Sequence, residues 1–258
     1  MKAIATPALV CMALLSGCSG TPTKEPESVA KQAPAPVYTI VDSSTAGVLT
    51  GKISFKGKLP ARKQIDLDQD PACVKAHGKR MVPDESAVVN RDGTLANAFV
   101  YIKKGLEGKQ FQPNADPVTI DQKGCWFRPR VVGIQTGQTL NVTNSDPLTH
   151  NIHPMAQVNR EWNQSQSEGA PALKRRFTRP EIMIPVKCNI HGWMRSFIGV
   201  VDHPYFAVTD SAGSFEIRNV PPGEYVVAAW QERFGAKEQT VTLAPSEKAN
   251  AAFTFTGE

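Results

Sequence analysis

The chain has 258 residues, 19 of them glycine and 20 proline, and a formal net charge of +5 at pH 7. Its length suits one large domain or two small ones. Short β-branched runs between turn residues favour an all-β fold, and no stretch has the pattern of a long amphipathic helix. The basic residues neither cluster on a helix nor alternate with aromatic residues, which excludes a nucleic-acid-binding protein.

Residues 1–17 have the pattern of an export signal. A positive start is followed by an apolar stretch, from Ala3 to Leu15, that is too short for a permanent transmembrane helix. The segment Leu15-Ser16-Gly17-Cys18 resembles the lipobox of bacterial lipoproteins. The resemblance implies cleavage before Cys18, a lipid on its thiol and a protein that faces the periplasm from a membrane. Because Ser19 follows, rather than the Asp that typically retains such proteins at the inner membrane, the resemblance implies the outer membrane.

Residues 18–45 are predicted to be a disordered tether between the lipid anchor and the folded part. Apolar residues are too sparse there to form a core. Four prolines make the segment extended and semi-stiff. They are Pro22, Pro26, Pro34 and Pro36.

A cluster of metal-binding residue types follows the predicted strand 182–187. Cys188, His191 and Met194 form a Cys-x2-His-x2-Met motif. One thiolate, two imidazoles and a long axial thioether are the ligands of a mononuclear copper site that transfers single electrons. His150, which follows a predicted turn, is the candidate for the second imidazole. The Cys-x2-His pair alone would also suit a zinc site.

Residues 118–202 resemble the cupredoxins, and among them the amicyanins, which carry the same short loop and a His-Asn-Val-His segment. The resemblance implies a Greek-key β-sandwich and one copper ion that cycles between Cu(II) and Cu(I). It implies four ligands: His150, Cys188, His191 and Met194. The sequence departs from the family in a longer, more polar segment over 154–180 and in Pro185 before the ligand loop.

Two neighbours of His150 have further predicted roles. His153 stays open as an additional ligand, because residues 150 and 153 of a strand point to opposite faces unless the strand ends or bulges, and Pro154 ends it soon. The alternative is a structural or surface histidine. Asn151, by the resemblance, ties the two ligand-bearing loops together through hydrogen bonds.

Five cysteines occur in the chain, and one is assigned to copper. Another leaves with the export signal, and a third carries the lipid. The remaining two, Cys73 and Cys125, form an even pair in an oxidising compartment, which favours a disulfide. Closing that loop would contribute roughly 3–4 kcal/mol. A second metal site that uses both cysteines and His77 is the alternative.

The strands on either side of the cupredoxin-like region resemble a carboxypeptidase regulatory-like β-sandwich of the transthyretin type. The resemblance rests on strands over 48–55 and 98–103 and on a C-terminal pattern with an Asp210-x-x-Gly213 turn and a Pro221-Pro222-Gly223 turn. The predicted domains are residues 46–112 and 203–258 for the two halves of this sandwich and 113–202 for the cupredoxin. The cupredoxin is then inserted into the sandwich. Two consecutive domains, with 46–112 adding strands to the cupredoxin, are the alternative.

The segment 155–180 is rich in basic residues. They are Arg160, Lys174, Arg175, Arg176 and Arg179. One interpretation is a solvated loop, and the other is a basic rim that steers an acidic-faced redox partner to the copper. In cupredoxins the loop histidine reaches the surface through an apolar patch. The resemblance therefore implies an exposed edge of His191 framed by Trp193, Met155 and Ile190, with Trp193 as a core residue as the alternative.

Together these features predict a type 1 (blue) copper protein that carries single electrons between periplasmic redox proteins. It is not expected to be an enzyme, because no catalytic constellation occurs in the sequence. A periplasmic copper-binding or copper-delivery protein is one alternative, in which His153 and a looser site favour exchange. A metal-free β-sandwich module of the envelope is another. The predicted partners are redox proteins and, through the lipid anchor, a membrane.

Overall fold

A computed structural model describes residues 36–59 and 61–257 of the chain. The predicted export signal, Cys18 and most of the predicted tether lie outside the described residues. Within the last part of the tether, the backbone N–H of Thr39 donates to the carbonyl of Gln110 at 2.7 Å, and Val41 packs against a buried core. In the described ranges no helix combines the length and the apolar character needed to cross a membrane.

The described chain consists almost entirely of strands, so the predicted all-β class is confirmed. The elements in chain order are β1 (Gly47–Lys56), β2 (Gln64–Asp66), α1 (Pro71–His77), β3 (Met81–Pro83), β4 (Phe99–Lys104), β5 (Val118–Gln122), β6 (Phe127–Arg128), β7 (Val131–Gln135), β8 (Leu140–Asn144), β9 (His150–Pro154), β10 (Gln164–Gln166), β11 (Leu173–Arg175), β12 (Glu181–Lys187), β13 (Arg195–Val201), β14 (Phe206–Val208), β15 (Ser214–Val220), β16 (Gly223–Gln231), β17 (Gly235–Leu243), β18 (Lys248–Asn250) and β19 (Phe253–Thr256).

The short helix α1 was not predicted. Asp70 caps its first turn by accepting from the N–H of Ala72 at 2.9 Å, Pro71 occupies its start, and Gly78 ends it with a φ of +78°. These are ordinary start and stop signals. The helix has only seven residues, too few for a helical period to appear in the sequence.

Strands from both ends of the described chain build one sandwich. One of its sheets has the order β15-β1-β18, with β19 also on β1, and the other has the order β14-β4-β16-β17. The buried residues between them include Leu49, Ile53, Val100, Ile102, Tyr225, Val227, Phe253 and Phe255. The early strands β1 and β4 thus pair with strands of the last fifth of the chain. The domain boundaries at residues 112 and 202 stay a prediction.

A second pair of sheets lies between these strands in the sequence. Their orders are β10-β9-β12-β13-β7 and β11-β8-β5-β6. Their buried core includes Ile120, Trp126, Phe127, Leu140, Val142, Ile152, Val186 and Ile198. The polar segment 154–180 is not only a loop, because it contributes the edge strands β10 and β11. Strands β9 and β12 are neighbours, which brings the ends that carry the predicted ligands together.

An aromatic contact and a buried ion pair join the two sandwiches. The ring of Phe99 lies against Gly133 and Gly199, where any added Cβ would overlap a neighbouring side chain. Arg130 and Glu232 form a two-point ion pair at 2.6 and 2.8 Å with both side chains largely buried. Bidentate pairs of this kind fix relative orientation as well as adding energy.

His203 connects the sandwiches as a neutral, hydrogen-bonded residue. Its Nε2–H donates to the carbonyl of Ile102 at 2.9 Å, and its Nδ1 accepts from the N–H of Tyr205 at 3.2 Å. Burial lowers the pKa of His203 below its usual range. Protonation of Nδ1 would place two donors against each other, so the native fold favours the neutral ring.

We expect His203 to make folding stability depend on mild acidification. Because the folded pKa lies below the unfolded value of about 6.5, the stabilisation is present above that pH and is lost as the pH falls towards the folded pKa. A His203→Gln variant lacks this titration. The free energy of unfolding of the natural protein, measured by denaturant titration, should therefore approach that of the variant between about pH 7 and about pH 5. A constant difference across this range would contradict the assignment.

Candidate metal centre

Three donor atoms converge in the interior of the second sandwich. The Nδ1 atoms of His150 and His191 lie 2.9 Å apart, and the Sγ of Cys188 lies 3.8 Å from the Nδ1 of His191. All three donor atoms lie within 4.8 Å of one another. The three residues are 0%, 2% and 2% exposed in the order His150, Cys188, His191. The structure thus brings together the three ligands on which the sequence interpretation depends most.

Strand pairing explains why residues so far apart in sequence meet. Strands β9 and β12 are antiparallel, with Lys187 opposite His153, so the chain beyond β12 runs back along the residues that precede His153. Cys188, the first residue after β12, therefore lies close to the start of β9, where His150 stands. The closeness of Cys188 to His150 therefore follows from the register of these two strands.

Backbone hydrogen bonds close the loop over 188–194. The N–H of Cys188 donates to the carbonyl of Met194 at 3.3 Å, and the N–H of Met194 donates to the carbonyl of His191 at 3.0 Å. A third bond runs from the N–H of His191 to the Sγ of Cys188 at 3.4 Å. The side chain of Met194 is fully buried in the apolar cluster that contains Cys188. Its role as an axial ligand stays a prediction.

A carboxylate contacts the outer nitrogen of each imidazole. Asp146 Oδ2 lies 2.8 Å from the Nε2 of His150, and Asp70 Oδ2 lies 3.0 Å from the Nε2 of His191. Burial raises the pKa of Asp146, but hydrogen bonds from His150 and the backbone outweigh it and hold that pKa below its usual range. The hydrogen bond with His191 lowers the pKa of Asp70. Both carboxylates are therefore ionised and can only accept.

This pairing determines which atoms face the centre of the site. An ionised carboxylate at Nε2 places the ring proton there, so the Nδ1 lone pairs of His150 and His191 point at each other and at Cys188. Two lone pairs and a thiolate at this distance require a cation among them, either a proton or a metal ion. Thiolate and imidazole in a set of three suit copper. The residues present therefore fit the copper ion that the sequence interpretation implies.

The thiol of Cys188 has a strongly lowered pKa. Burial raises its pKa, but hydrogen bonds with the two histidines and with the backbone outweigh this effect and lower the pKa to about 5. Cys188 is also the free cysteine of the described ranges. It is thus a thiolate near neutral pH, the form that binds metals.

Asn151 connects β9 to the loop that follows β12. Its Oδ1 accepts from the N–H of Asn189 at 2.7 Å and lies 3.3 Å from the Sγ of Cys188, which donates to it when protonated. Its Nδ2 donates to Asn163 at 2.6 Å. Asn151 therefore links the strand of His150 to the Cys188 loop, and its role in fixing the geometry of a bound metal stays a prediction.

His153 lies outside the donor cluster. One ring nitrogen contacts the carboxylate of Glu161 at 2.5 Å, and the other lies 3.4 Å from the Oδ1 of Asn189. Strand alternation is the reason, because β9 continues through residue 153 and its successive side chains point to opposite faces. The structure does not place His153 where it could share a metal with His150.

The predicted pairing of Cys73 with Cys125 is present as a disulfide across a sequence separation of 52 residues. Its rival, a second metal site with His77, does not form. The Nδ1 of His77 instead accepts from the indole N–H of Trp126 at 3.2 Å. The N–H of Cys125 donates to the same Asp146 oxygen that contacts His150, at 2.7 Å. The disulfide therefore lies beside the candidate metal centre.

The expected exposure of His191 is wrong. Its ring is covered by Asp70, and the side chain is 3% exposed. Trp193 is half-buried and donates its indole N–H to the carbonyl of Cys125 at 3.2 Å, while Ile190 is 54% exposed. No local sequence pattern indicates this cover, since Asp70 lies 121 residues before His191. The contact of Asp146 with His150 was also not predicted from the sequence. The position of Asp146, only four residues before His150, could have indicated it.

Comparison with known proteins gives partial similarities. Residues 200–256 match the carboxypeptidase regulatory-like domain family, which confirms that resemblance for the C-terminal strands. No curated protein matches the chain.

Cupredoxins are among the solved structures to which the chain is similar. A Cu-containing nitrite reductase from Thermus scotoductus SA-01 is 23% identical over 36% of this chain and 26% of its own, with a TM-score of 0.32. An oxidized amicyanin variant is 19% identical over 39% of this chain and 97% of its own, with a TM-score of 0.30. A purple cupredoxin from Nitrosopumilus maritimus is 18% identical over 34% of this chain and 99% of its own, with a TM-score of 0.28.

The lowered pKa of Cys188 can be measured directly. In metal-free protein we expect the ultraviolet absorbance of the thiolate to titrate with a midpoint at about 5, rather than near the ordinary value of 9.0. A Cys188→Ser variant, which leaves only the disulfide cysteines in the described ranges, should show no such transition. A midpoint near the ordinary value would mean that the two imidazoles do not stabilise the thiolate.

Proposed function

We propose that the chain is a type 1 copper protein that carries single electrons between periplasmic redox proteins. The observation that supports this most strongly is the convergence of His150 Nδ1, Cys188 Sγ and His191 Nδ1 within 4.8 Å. Bound copper would supply a Cu(II)/Cu(I) couple in a ligand set that suits both states. Met194 is the proposed axial ligand, because its buried side chain shares an apolar cluster with Cys188.

The enclosure of the donors favours a carrier over an enzyme or a delivery protein. His150, Cys188 and His191 are nearly inaccessible to solvent, and the outer nitrogens of both rings are already engaged. A catalytic metal site keeps an open position for substrate. A delivery site must also release its ion readily, whereas an electron carrier benefits from ligands that stay fixed.

The proposed location is the periplasmic side of the outer membrane, with the lipid on Cys18 as the anchor. The disulfide between Cys73 and Cys125 supports an oxidising compartment, because such bonds persist in the periplasm and are rare in the cytosol. The lipobox-like sequence before Cys18 supports the anchor.

A basic groove near the copper loop is the proposed docking face for a redox partner with an acidic surface. Arg160, Arg175 and Arg176 line it together with Trp162. The guanidinium of Arg175 lies 5.2 Å from the centre of the Trp162 ring, so a charged and an aromatic group are presented together. Complementary charge would steer an acidic partner to this groove.

Contacts connect this groove to the donor cluster. Glu161, at the edge of the groove, contacts His153, and His153 contacts Asn189, the residue after Cys188. The edge of His191 that serves this purpose in cupredoxins is covered here. We therefore propose that electrons leave through the side of Cys188 towards His153.

The first test is the visible spectrum of the purified protein after addition of Cu(II) and removal of excess metal. An intense thiolate-to-copper charge-transfer band should appear, and Cys188→Ser should abolish it. His153→Ala is the matched control and should keep the band, since His153 lies outside the donor cluster. A colourless protein that retains copper would favour copper handling, and one without copper would refute the proposal.

The docking groove can be tested with ferricyanide, an anionic oxidant, on the reduced, copper-loaded protein. An Arg160→Gln, Arg175→Gln double variant should be oxidised roughly 3- to 10-fold more slowly at low salt and should lose most of the salt dependence of that rate. Arg218→Gln, Lys248→Gln makes the same change in net charge on exposed residues of β15 and β18. Equal slowing by the two double variants would show that net charge, not the groove, determines the rate.

A further inference from the structure

The outer edge of His191 is closed by a segment from outside the cupredoxin-like region. Asp70 Oδ2 lies 3.0 Å from the Nε2 of His191, and the two residues are 121 positions apart. The His191 side chain is 3% exposed, whereas that of Asp70 is 33% exposed. Asp70 therefore stands between the imidazole and solvent.

The two oxygens of Asp70 have different partners. Oδ1 accepts from the N–H of Ala72 and so caps α1, while Oδ2 faces His191. The residues around it are anchored as well. The N–H of Asp70 donates to the carbonyl of Leu67 at 3.0 Å, and Leu67 is fully buried in the same apolar cluster as Cys188. Hydrogen bonds therefore fix both carboxylate oxygens of Asp70 and its backbone N–H.

Further contacts attach α1 to the strands of the metal site. Cys73, in the first turn of α1, is bonded to Cys125, and the N–H of Cys125 donates to the Asp146 oxygen that contacts His150. At the other end of α1, His77 accepts from the indole of Trp126. Through the disulfide, the carboxylate of Asp70 on His191 Nε2 and that of Asp146 on His150 Nε2 belong to one connected set of contacts.

We propose that residues 67–80 form a fixed cover over the metal centre, in which Asp70 is a positioning residue that slows the loss of copper. This inference rests on the proposed function. Release of the ion requires a ligand to swing away, and His191 cannot rotate outward while its Nε2–H donates a hydrogen bond to Asp70. Partners of this kind on metal-bound histidines typically change metal affinity by roughly 10- to 100-fold.

Copper release tests the proposal. Cu(I)-loaded protein is mixed with excess bicinchoninate, and the rate of chelator colour formation is recorded. Asp70→Ser keeps a residue that caps helices well but cannot reach His191, and it should release copper roughly 10- to 100-fold faster. Asp68→Ser, on the same cover but paired only with exposed Arg80, is the control and should match the natural protein. Release from Asp70→Ser at the natural rate would overturn the proposal.

Proton exchange in metal-free protein supplies a second readout that does not depend on copper. Nitrogen-15 spectra should show slowly exchanging Nε2 protons for both His150 and His191, and Asp70→Ser should remove the protection of His191 alone. His150, held by Asp146, is the internal control. Fast exchange of the His191 Nε2 proton in the natural protein would overturn the proposal that residues 67–80 cover the site. Failure to bind copper while this proton stays protected would instead overturn the proposed function.

Discussion

The metal centre depends on one electrostatic constraint, which is that three electron-rich atoms are buried against one another. Asp146 and Asp70 hold the protons of His150 and His191 on their outer nitrogens, so the inner lone pairs meet beside the thiolate of Cys188. Such an arrangement is unfavourable in a low-dielectric interior unless a cation is present. The protein thus holds the two rings in an orientation that would suit the proposed copper ion.

That preorganisation is maintained by parts of the chain that are distant in sequence. Strands β9 and β12 set the positions of the donors, while Asp70, the N-cap residue of α1, supplies one of the two carboxylates. The Cys73–Cys125 disulfide fastens α1 to the turn after β5. In the loop-entropy model a bridge of this span contributes about 4 kcal/mol. The disulfide also restrains the positions of Asp70 and Asp146 relative to each other, because Cys73 lies in the helix that Asp70 caps and Cys125 donates to Asp146.

The covered edge of His191 changes how the site would exchange electrons. With that edge closed, one route of contacts from the donors to the surface runs from Asn189, the residue after Cys188, through His153 to Glu161 in the basic groove. Residues of the polar segment 154–180 supply this groove. The short strands β10 and β11 of this segment pair with β9 and β8 at the edges of the two sheets and so hold the groove in place.

The sequence by itself determined the all-β class, the donor types and the cysteine pair. These follow from local patterns: strand alternation, the Cys-x2-His-x2-Met spacing and the even count of cysteines after the assigned ones. It also left His153 open, because strand alternation alone could not show where β9 ends. Only the tertiary structure decided that His153 faces Glu161, that Asp70 covers His191 and that Asp146 orients His150. These contacts depend on strand register and on a helix brought across 121 residues, and no local pattern records which distant carboxylate reaches an imidazole.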